Sequence, residues 1–223
     1  MTRPVISDIR LRSQQGATRP FLCRTEDGKK YWVKGTKAGN EALCAEWIAG
    51  RLGQYLDLPI PDIAQIVVPK KIIANSAMDA ASDLGDGIRF GSFHIEGAQE
   101  YDNCSLALTD TVLRRRILVF DVWVRNTDRT FERQLGNTGN PNLLWDTANN
   151  RLCVIDHNNA FLPDDLFQPG DYSRHVYSDE RSRLSPEFKS SATDKMRNAY
   201  GFLNEIMSEI PEEWRVLVGQ WTK

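Results

Sequence analysis

The sequence predicts an α+β fold of two lobes, with a β-rich N-terminal part and a mainly α-helical C-terminal part. Three observations predict this class. Short β-branched and aromatic runs dominate the N-terminal part, helical periodicity dominates after Ser105, and 41% hydrophobic with 26% charged residues is typical of globular proteins. A chain of 223 residues can form two lobes that share a cleft, which is a common position for a ligand.

The N-terminal part is predicted to form strands around one helix. The stretch FLCRTEDGKKYWVKGT has apolar runs on both sides of residues 26–29, which predicts a β-hairpin with Lys34 near the end of its second strand. The segment AGNEALCAEWIAGRLGQY has the spacing of a helix, and Glu46 lies beside its apolar stripe. A partly buried carboxylate there needs a partner. The runs IAQIVVP and GIRFGSFHIEG predict further strands.

The C-terminal part is predicted to be helical around one hairpin. LALTDTVLRRRILVFDVWVRN predicts a helix capped by Thr109 or Asp110, and NLLWDTANNRLCVIDH predicts two short strands. The sequence from Ser185 onward predicts two or three more helices. We therefore expect one domain over residues 1–97 and another over residues 98–223.

Charge and composition exclude several classes of protein. The net charge of −2 provides no basic field for nucleic acid, and Arg114–Arg116 is expected to form part of a helix face. The four cysteines are widely separated and the three histidines lack ligand spacing, which argues against a zinc site or a disulfide framework. Without a secretory signal or a long apolar run, the expected location is the cytoplasm, with no membrane association.

Three polar residues have the pattern of a phosphoryl-transfer site. Asp128 follows the predicted helix, Asn142 starts one strand of the C-terminal hairpin, and Asp156 ends the other. The hairpin would bring Asn142 and Asp156 together, and the preceding loop could bring Asp128 to the same edge. Carboxylate and amide oxygens bind Mg²⁺, while a separate carboxylate can accept a proton from an attacking hydroxyl.

Each of these residues also has a simpler interpretation, since Asp and Asn favour turns and caps. The order along the chain favours the functional one, because a two-lobed kinase supplies Lys on a strand, Glu on the next helix, and then Asp, Asn and Asp. In that order Lys34 would neutralise phosphate oxygens and Glu46 would hold its ammonium group. A metal-dependent nuclease using Asp128, Asp146 and Asp156 is disfavoured by the lack of basic excess, and Asp146 is better explained as a turn residue.

Several motifs carry a resemblance to known kinases. VRNTDR, GNPNLLW and VIDHNNAF resemble the catalytic centre of the phosphatidylinositol 3-/4-kinase-like families. YWVKGT, EALCAEWIAGRLGQYLDLPIPDIAQIVV and FGSFHIEGAQEY resemble the HipA-like kinase family, particularly its short, stand-alone bacterial members, and the similarity covers most of residues 10–160. The resemblance implies a protein-kinase-like fold and phosphorylation that uses ATP and Mg²⁺.

The resemblance also implies a role for individual residues. Asp128 would be the catalytic base, and Asn142 and Asp156 would ligate Mg²⁺. Lys34 would contact the nucleotide phosphates, with Glu46 as its ion-pair partner. The strand and hinge beside adenine, where backbone groups make the polar contacts, would consist of Phe93, His94, Ile95, Glu96 and Gly97.

The N-terminal stretch RSQQGATRPFL is similar to the phosphate-binding loop of HipA. Gly16 corresponds to its turn glycine, and the backbone N–H groups of Gln15, Gly16 and Ala17 would cradle phosphates. An ordinary turn is the alternative. Ser13 corresponds to a serine that some family members autophosphorylate, and a phosphate there would add roughly two negative charges and oppose ATP binding.

The catalytic segment departs from the family pattern. Thirteen residues separate Asp128 from Asn142, where the family has only a few, so TFERQLGNT, residues 130–138, resembles an insertion. Its Glu132 and Arg133 are expected in solvent. Asn140 is an alternative to Asn142 as the metal ligand. Arg129 is expected either to form a positioning ion pair with Asp128 or to bind a phosphate, and the ion pair is favoured.

The phosphate acceptor is open on sequence alone. The HipA-like resemblance implies a protein serine or threonine, which in toxin–antitoxin members belongs to a translation factor, and it allows an antitoxin partner. The phosphatidylinositol-kinase resemblance implies a lipid or a small polyol, although no basic amphipathic surface favours a lipid. A non-catalytic ATP-binding module is the third hypothesis.

Overall fold

The computed structural model of the chain describes residues 2–78, 80–131, 139–161, 163 and 171–215. Most of the predicted insertion, including Glu132 and Arg133, lies outside these residues. Within the described ranges, no helix combines the length and the apolar character that crossing a bilayer requires.

The α+β class is confirmed, with strands concentrated in the N-terminal region and helices in the C-terminal part. The strands are β1 (Ile6–Arg12), β2 (Phe21–Thr25), β3 (Lys30–Val33), β4 (Ile63–Val68), β5 (Gly87–Phe93), β6 (Gln99–Glu100), β7 (Leu143–Asp146) and β8 (Arg151–Val154). The α-helices are α1 (Gly39–Tyr55), α2 (Lys70–Ala74), α3 (Asn103–Leu108), α4 (Thr111–Trp123), α5 (Pro186–Tyr200), α6 (Leu203–Glu209) and α7 (Glu212–Arg215).

The chain forms two compact units, each discontinuous in sequence. Unit 1 contains the chain up to Trp47, Pro61–Ile95 and a segment that starts at Glu209. Unit 2 contains Ile48–Ile60 and Glu96–Ser208. The domain boundary predicted between residues 97 and 98 stays a prediction.

Unit 1 is built on a five-stranded antiparallel sheet with the order β1-β2-β3-β5-β4. The predicted hairpin of β2 and β3 is confirmed, with Phe21 opposite Val33. Gly28 supplies the positive φ of 84° in its turn, a backbone conformation that glycine adopts without strain. Phe21, Cys23 and Val33 belong to the buried core of this unit, which places one face of the sheet away from water.

A C-terminal segment completes unit 1. Trp214 on α7 is fully buried, and its Nε1 donates to the carbonyl of Ile88 at 2.8 Å. The side chain of Asn40 on α1 donates to the carbonyl of Glu213 at 2.9 Å. Unit 1 therefore depends on residues distant in sequence from its sheet.

Helix α4 is a central element of unit 2. Of the two predicted caps, Thr109 and Asp110, it is Asp110 that caps this helix, because its side chain accepts the backbone N–H of Leu113 at 2.9 Å. Ile117, Leu118 and Phe120 on α4 are buried. The loop that follows this helix carries Asp128.

The predicted C-terminal hairpin of unit 2 is β7 and β8, and β6 joins it to form a three-stranded sheet. Asp146 is the predicted turn residue of this hairpin. Its carboxylate accepts the backbone N–H of Asn149 at 3.2 Å and Nε of Arg151 at 3.1 Å. The opposite end of the hairpin carries Asn142 and Asp156.

Candidate active site

Lys34 and Glu46 form a buried ion pair in unit 1. Lys34 directly follows β3, where its backbone N–H donates to the carbonyl of Phe90 at 2.9 Å. Its Nζ contacts Oε1 of Glu46 on α1, and the two side chains are 7% and 2% exposed. A buried pair is weak evidence for stabilisation, because desolvation opposes the attraction. The structure thus brings these residues together, while their contact with a nucleotide stays a prediction.

The predicted phosphate-binding loop is the turn between β1 and β2. The N–H of Ser13 donates to the carbonyl of Pro20 at 2.8 Å, and the Ser13 hydroxyl oxygen accepts the N–H of Gln15 at 3.0 Å. Gly16 has a φ of 73°, so a side chain there would strain the backbone. Gln15, Gly16 and Ala17 are exposed. Since the N–H of Gln15 is engaged within the turn, Gly16 and Ala17 are the candidate phosphate donors.

The predicted adenine-binding stretch follows the sheet of unit 1. Phe93 is the last residue of β5, and its N–H donates to the carbonyl of Asp62 at 2.7 Å. The N–H of His94 donates to the carbonyl of Lys30 at 2.9 Å. Both amides are therefore engaged, so that adenine contacts from this stretch would come from its carbonyl groups or from Ile95 and Glu96.

Asp128, Asn142 and Asp156 come together in unit 2. Asn142 immediately precedes β7 and Asp156 lies just after β8, and the N–H of Ile155 donates to the carbonyl of Asn142 at 3.1 Å. The hairpin therefore holds the two predicted metal ligands next to each other. Nδ2 of Asn142 donates to Oδ2 of Asp128 at 3.1 Å, which adds the predicted base.

Amide side chains surround the Asp128 carboxylate. Nδ2 of Asn140 donates to Oδ2 of Asp128 at 3.3 Å, and Asn159 forms another side-chain hydrogen bond with this carboxylate. Because the amide nitrogen of Asn142 is also directed at Asp128, its oxygen is the atom left to bind a cation. This oxygen and the carboxylate of Asp156 are hard oxygen donors of the kind that Mg²⁺ prefers, so the residues fit the ion, while their role as its ligands stays a prediction.

The environment of Asp128 favours proton uptake. Burial raises the pKa of Asp128 above its ordinary value, and hydrogen bonds from Asn142 and Asn159 lower it only in part. The negative charge of Asp156 raises the pKa further, and the charge of Arg129 opposes this. A carboxylate with a raised pKa is a stronger base when ionised, which is the property that proton abstraction needs.

Arg129 forms its ion pair with Asp121 on α4, a residue outside the sequence predictions. Its Nε lies 2.7 Å from Oδ2 of Asp121, and both side chains are 0% exposed. Burial would raise the pKa of Asp121, but the charge of Arg129 and a hydrogen bond from His175 hold it well below its ordinary value. The expected positioning ion pair is thus present with Asp121, rather than Asp128, as the partner, and the buried guanidinium presents no surface to a phosphate.

The sequence carried a signal for Asp121 but none for His175. Asp121 stands within the apolar run ILVFDVWV, and a carboxylate buried among such residues requires a charged or hydrogen-bonding partner. His175 contacts Asp121 from a distant part of the chain with no recognisable motif. His157, next to Asp156, is buried and packs edge-on against Phe120 with ring centroids 5.9 Å apart, as a structural histidine does.

Comparison with known proteins and the geometry of the site both indicate a kinase. A family model described as HipA-like kinase matches residues 6–222, which is nearly the whole chain. A comparison with curated proteins found no match.

Proposed function

The chain belongs to the HipA-like kinase family, and we propose that it is an ATP- and Mg²⁺-dependent protein kinase that phosphorylates serine or threonine. The main support is the Asp128 carboxylate, which is hydrogen-bonded by Asn142 and has a pKa raised by burial and by the Asp156 charge. A base and two oxygen ligands in this arrangement match the requirements of phosphoryl transfer.

Asp128 is the proposed general base. It accepts the proton of the acceptor hydroxyl while the hydroxyl oxygen bonds to the γ-phosphorus and the bond between that phosphorus and ADP breaks. Asn140 and Asn142 both donate to Oδ2, so they fix the orientation of the carboxylate before the acceptor arrives. A fixed base avoids reorganisation during the proton transfer.

The remaining residues bind the nucleotide in this proposal. Asn142 and Asp156 would hold Mg²⁺, which neutralises charge on the phosphates. Lys34 would neutralise phosphate oxygens, and the ion pair with Glu46 orients its ammonium group. The turn at Gly16 would offer backbone N–H groups to the phosphates.

A protein acceptor is proposed ahead of a lipid or a metabolite. Membership of the HipA-like kinase family favours a protein hydroxyl. The formal charge of −2 does not favour attraction to anionic lipid headgroups. Lipid and small-molecule acceptors therefore become alternative outcomes of the test.

Ser13 is the proposed site of autophosphorylation. Its hydroxyl donates to the carbonyl of Gln15 at 3.0 Å, and it also accepts the N–H of that residue. A phosphate on this oxygen would remove the donated bond and add roughly two negative charges. We expect the modified turn to bind the phosphates of ATP more weakly.

Incubation with γ-labelled Mg-ATP, alone and with cell lysate, tests the function. Asp128→Asn should lower label transfer about 10²- to 10⁴-fold, because it removes the base. It should preserve the rise in melting temperature on adding Mg-ATP, because ligand binding to the folded state needs no base. Asp146→Asn is the matched control, since this turn aspartate lies in the same hairpin and should leave transfer unchanged.

The position of the label separates the alternatives. Label on a lysate protein supports the protein kinase, and mass spectrometry that locates label on Ser13 supports autophosphorylation. Label in a lipid or metabolite fraction instead would exclude protein phosphorylation as the main activity. A melting shift with no label in any fraction would identify a non-catalytic ATP-binding module.

A further inference from the structure

The guanidinium of Arg129 contacts the backbone at both predicted Mg²⁺ ligands. Its Nη1 lies 2.5 Å from the carbonyl oxygen of Asn142, 3.2 Å from that of Pro141 and 3.2 Å from that of Ile155. Asn142 is itself a predicted ligand, and Ile155 directly precedes Asp156. The side chain is fully buried, so these charged hydrogen bonds form away from competing water.

The backbone at both ligands adopts an uncommon conformation. Asn142 has a φ of 49° and Asp156 a φ of 57°. Among residues other than glycine, Asn and Asp adopt this left-handed region most readily, but it still costs on the order of 1 kcal/mol, which contacts that hold the backbone can offset. The bonds from Arg129 to the carbonyl of Asn142 and to the carbonyl before Asp156 are such contacts.

Asp121 fixes the other edge of the guanidinium. Its Oδ2 accepts Nε of Arg129 at 2.7 Å and lies 3.0 Å from Nε2 of His175, while Oδ1 accepts Nδ2 of Asn126 at 3.0 Å. Because Nδ1 of His175 accepts the N–H of Tyr177, Nε2 carries the ring proton and donates to Asp121. A chain of buried contacts thus runs from α4 through Arg129 to the backbone of both ligands.

We propose that Arg129 is a positioning residue for the divalent cation of this site. It holds the backbone from which Asn142 and Asp156 project and does not itself touch the ion or the nucleotide. The inference rests on the proposed function, because it takes these two residues as the metal ligands. The geometry requires an arginine, since lysine keeps the charge but lacks the planar fork that spans Asp121 and the carbonyl groups.

Direct binding of Mn²⁺ tests this inference without relying on turnover. Electron paramagnetic resonance of free Mn²⁺, with a non-hydrolysable ATP analogue present, gives the ion affinity at a temperature where melting curves show every variant folded. Arg129→Lys should weaken Mn²⁺ binding about 10- to 100-fold, as loss of a residue that orients metal ligands typically does. In turnover, the Mg²⁺ concentration for half-maximal rate should rise more than kcat falls.

A second ion pair, in which Glu180 is buried and Arg115 is partly exposed, provides the control. Arg115 lies on α4, and its Nε contacts Oε2 of Glu180 at 2.9 Å in the same unit. Arg115→Lys therefore perturbs an ion pair of unit 2 that includes neither predicted ligand, and it should leave the Mn²⁺ affinity within about twofold of wild type. A loss of affinity in Arg115→Lys equal to that in Arg129→Lys would show a general structural effect and overturn the inference.

The ligand variant Asp156→Ala separates this inference from the proposed function. If Asp156→Ala loses Mn²⁺ and folded Arg129→Lys binds it like wild type, only the positioning role is overturned. If wild type and Asp156→Ala bind Mn²⁺ alike, or wild type binds none, the proposed metal site and this inference are both overturned. Should Arg129→Lys fail to fold, His175→Gln loosens Asp121 instead and should weaken Mn²⁺ binding severalfold, and an unchanged affinity would overturn the role.

Discussion

Asp121 and Asp128 stand seven residues apart in unit 2, yet their environments push their pKa values in opposite directions. Asp121 is 0% exposed and faces the guanidinium of Arg129 and the ring of His175. Asp128 is half-buried, and the groups that hydrogen-bond it are neutral amides such as Asn142. The negative charge of Asp156 adds to the effect of burial on Asp128.

The difference separates a structural carboxylate from a reactive one. A buried carboxylate with a cationic partner stays ionised over the whole physiological range and can only hold its surroundings in place. A carboxylate that is oriented by amides but not neutralised retains affinity for a proton. Opposite pKa shifts in neighbouring acids are a pattern from which catalytic roles are inferred, and here the pattern supports the proposal that Asp128 is the base.

The largest expected effect on stability comes from breaking the ion pair between Asp121 and Arg129. Asp121→Ala leaves the Arg129 guanidinium buried without its carboxylate, so the free energy of unfolding should fall by about 3–5 kcal/mol in urea titrations. The double variant Asp121→Ala with Arg129→Met removes the orphaned charge and should recover part of this loss. A double variant that is no more stable than Asp121→Ala would show that the buried charge is not the cause.

Substitution of Asp128 is expected to increase stability, by less than the loss of Asp121 decreases it. Its raised pKa means that the folded state binds the proton more tightly than the unfolded chain, so the ionised form disfavours folding at neutral pH. Asp128→Asn should therefore raise the melting temperature at neutral pH. This gain in melting temperature should vanish as the pH falls below the ordinary carboxyl pKa, because Asp128 is then protonated in both the folded and the unfolded state.

The pH dependence distinguishes the two aspartates. The contribution of Asp121 is present above the ordinary carboxyl pKa and is lost only as the pH falls toward its lowered folded pKa. Thermal melts of wild type, Asp121→Ala and Asp128→Asn across the acidic range measure the contributions of the two aspartates. If Asp128→Asn is less stable than wild type at neutral pH, the ionised Asp128 does not disfavour folding.

The sequence was sufficient to predict the position of residues that lie on or next to a helix or strand with a clear local pattern. Lys34 follows a strand of a hairpin and Glu46 lies beside the apolar stripe of the next helix, so periodicity alone indicated both. Asn142 and Asp156 flank the two strands of one hairpin, and antiparallel pairing brings such positions together. The fold class followed from the same local signals.

Contacts between distant segments were not predictable in this way. Nothing in the sequence near Trp214 indicates that its side chain would be fully buried and would donate to the carbonyl of Ile88. The partner of Arg129 was missed because the adjacent Asp128 is nearer in sequence, whereas Asp121 is brought close by the path of the loop after α4. Local periodicity gives elements and their faces, and it does not say which buried charges meet.

The smallest expected effect tests whether the amides tune the base or only hold it. The hydrogen bond from Asn159 lowers the pKa of Asp128, so Asn159→Ala should raise that pKa and move the acid limb of kcat/KM to higher pH. On the plateau above this limb, kcat/KM should fall about two- to tenfold, the usual effect of losing one hydrogen bond. Asn158→Ala, at the neighbouring position, should leave the limb in place. A plateau that falls while the acid limb stays fixed would mean that Asn159 orients the carboxylate without setting its proton affinity, and that burial and the Asp156 charge alone distinguish Asp128 from Asp121.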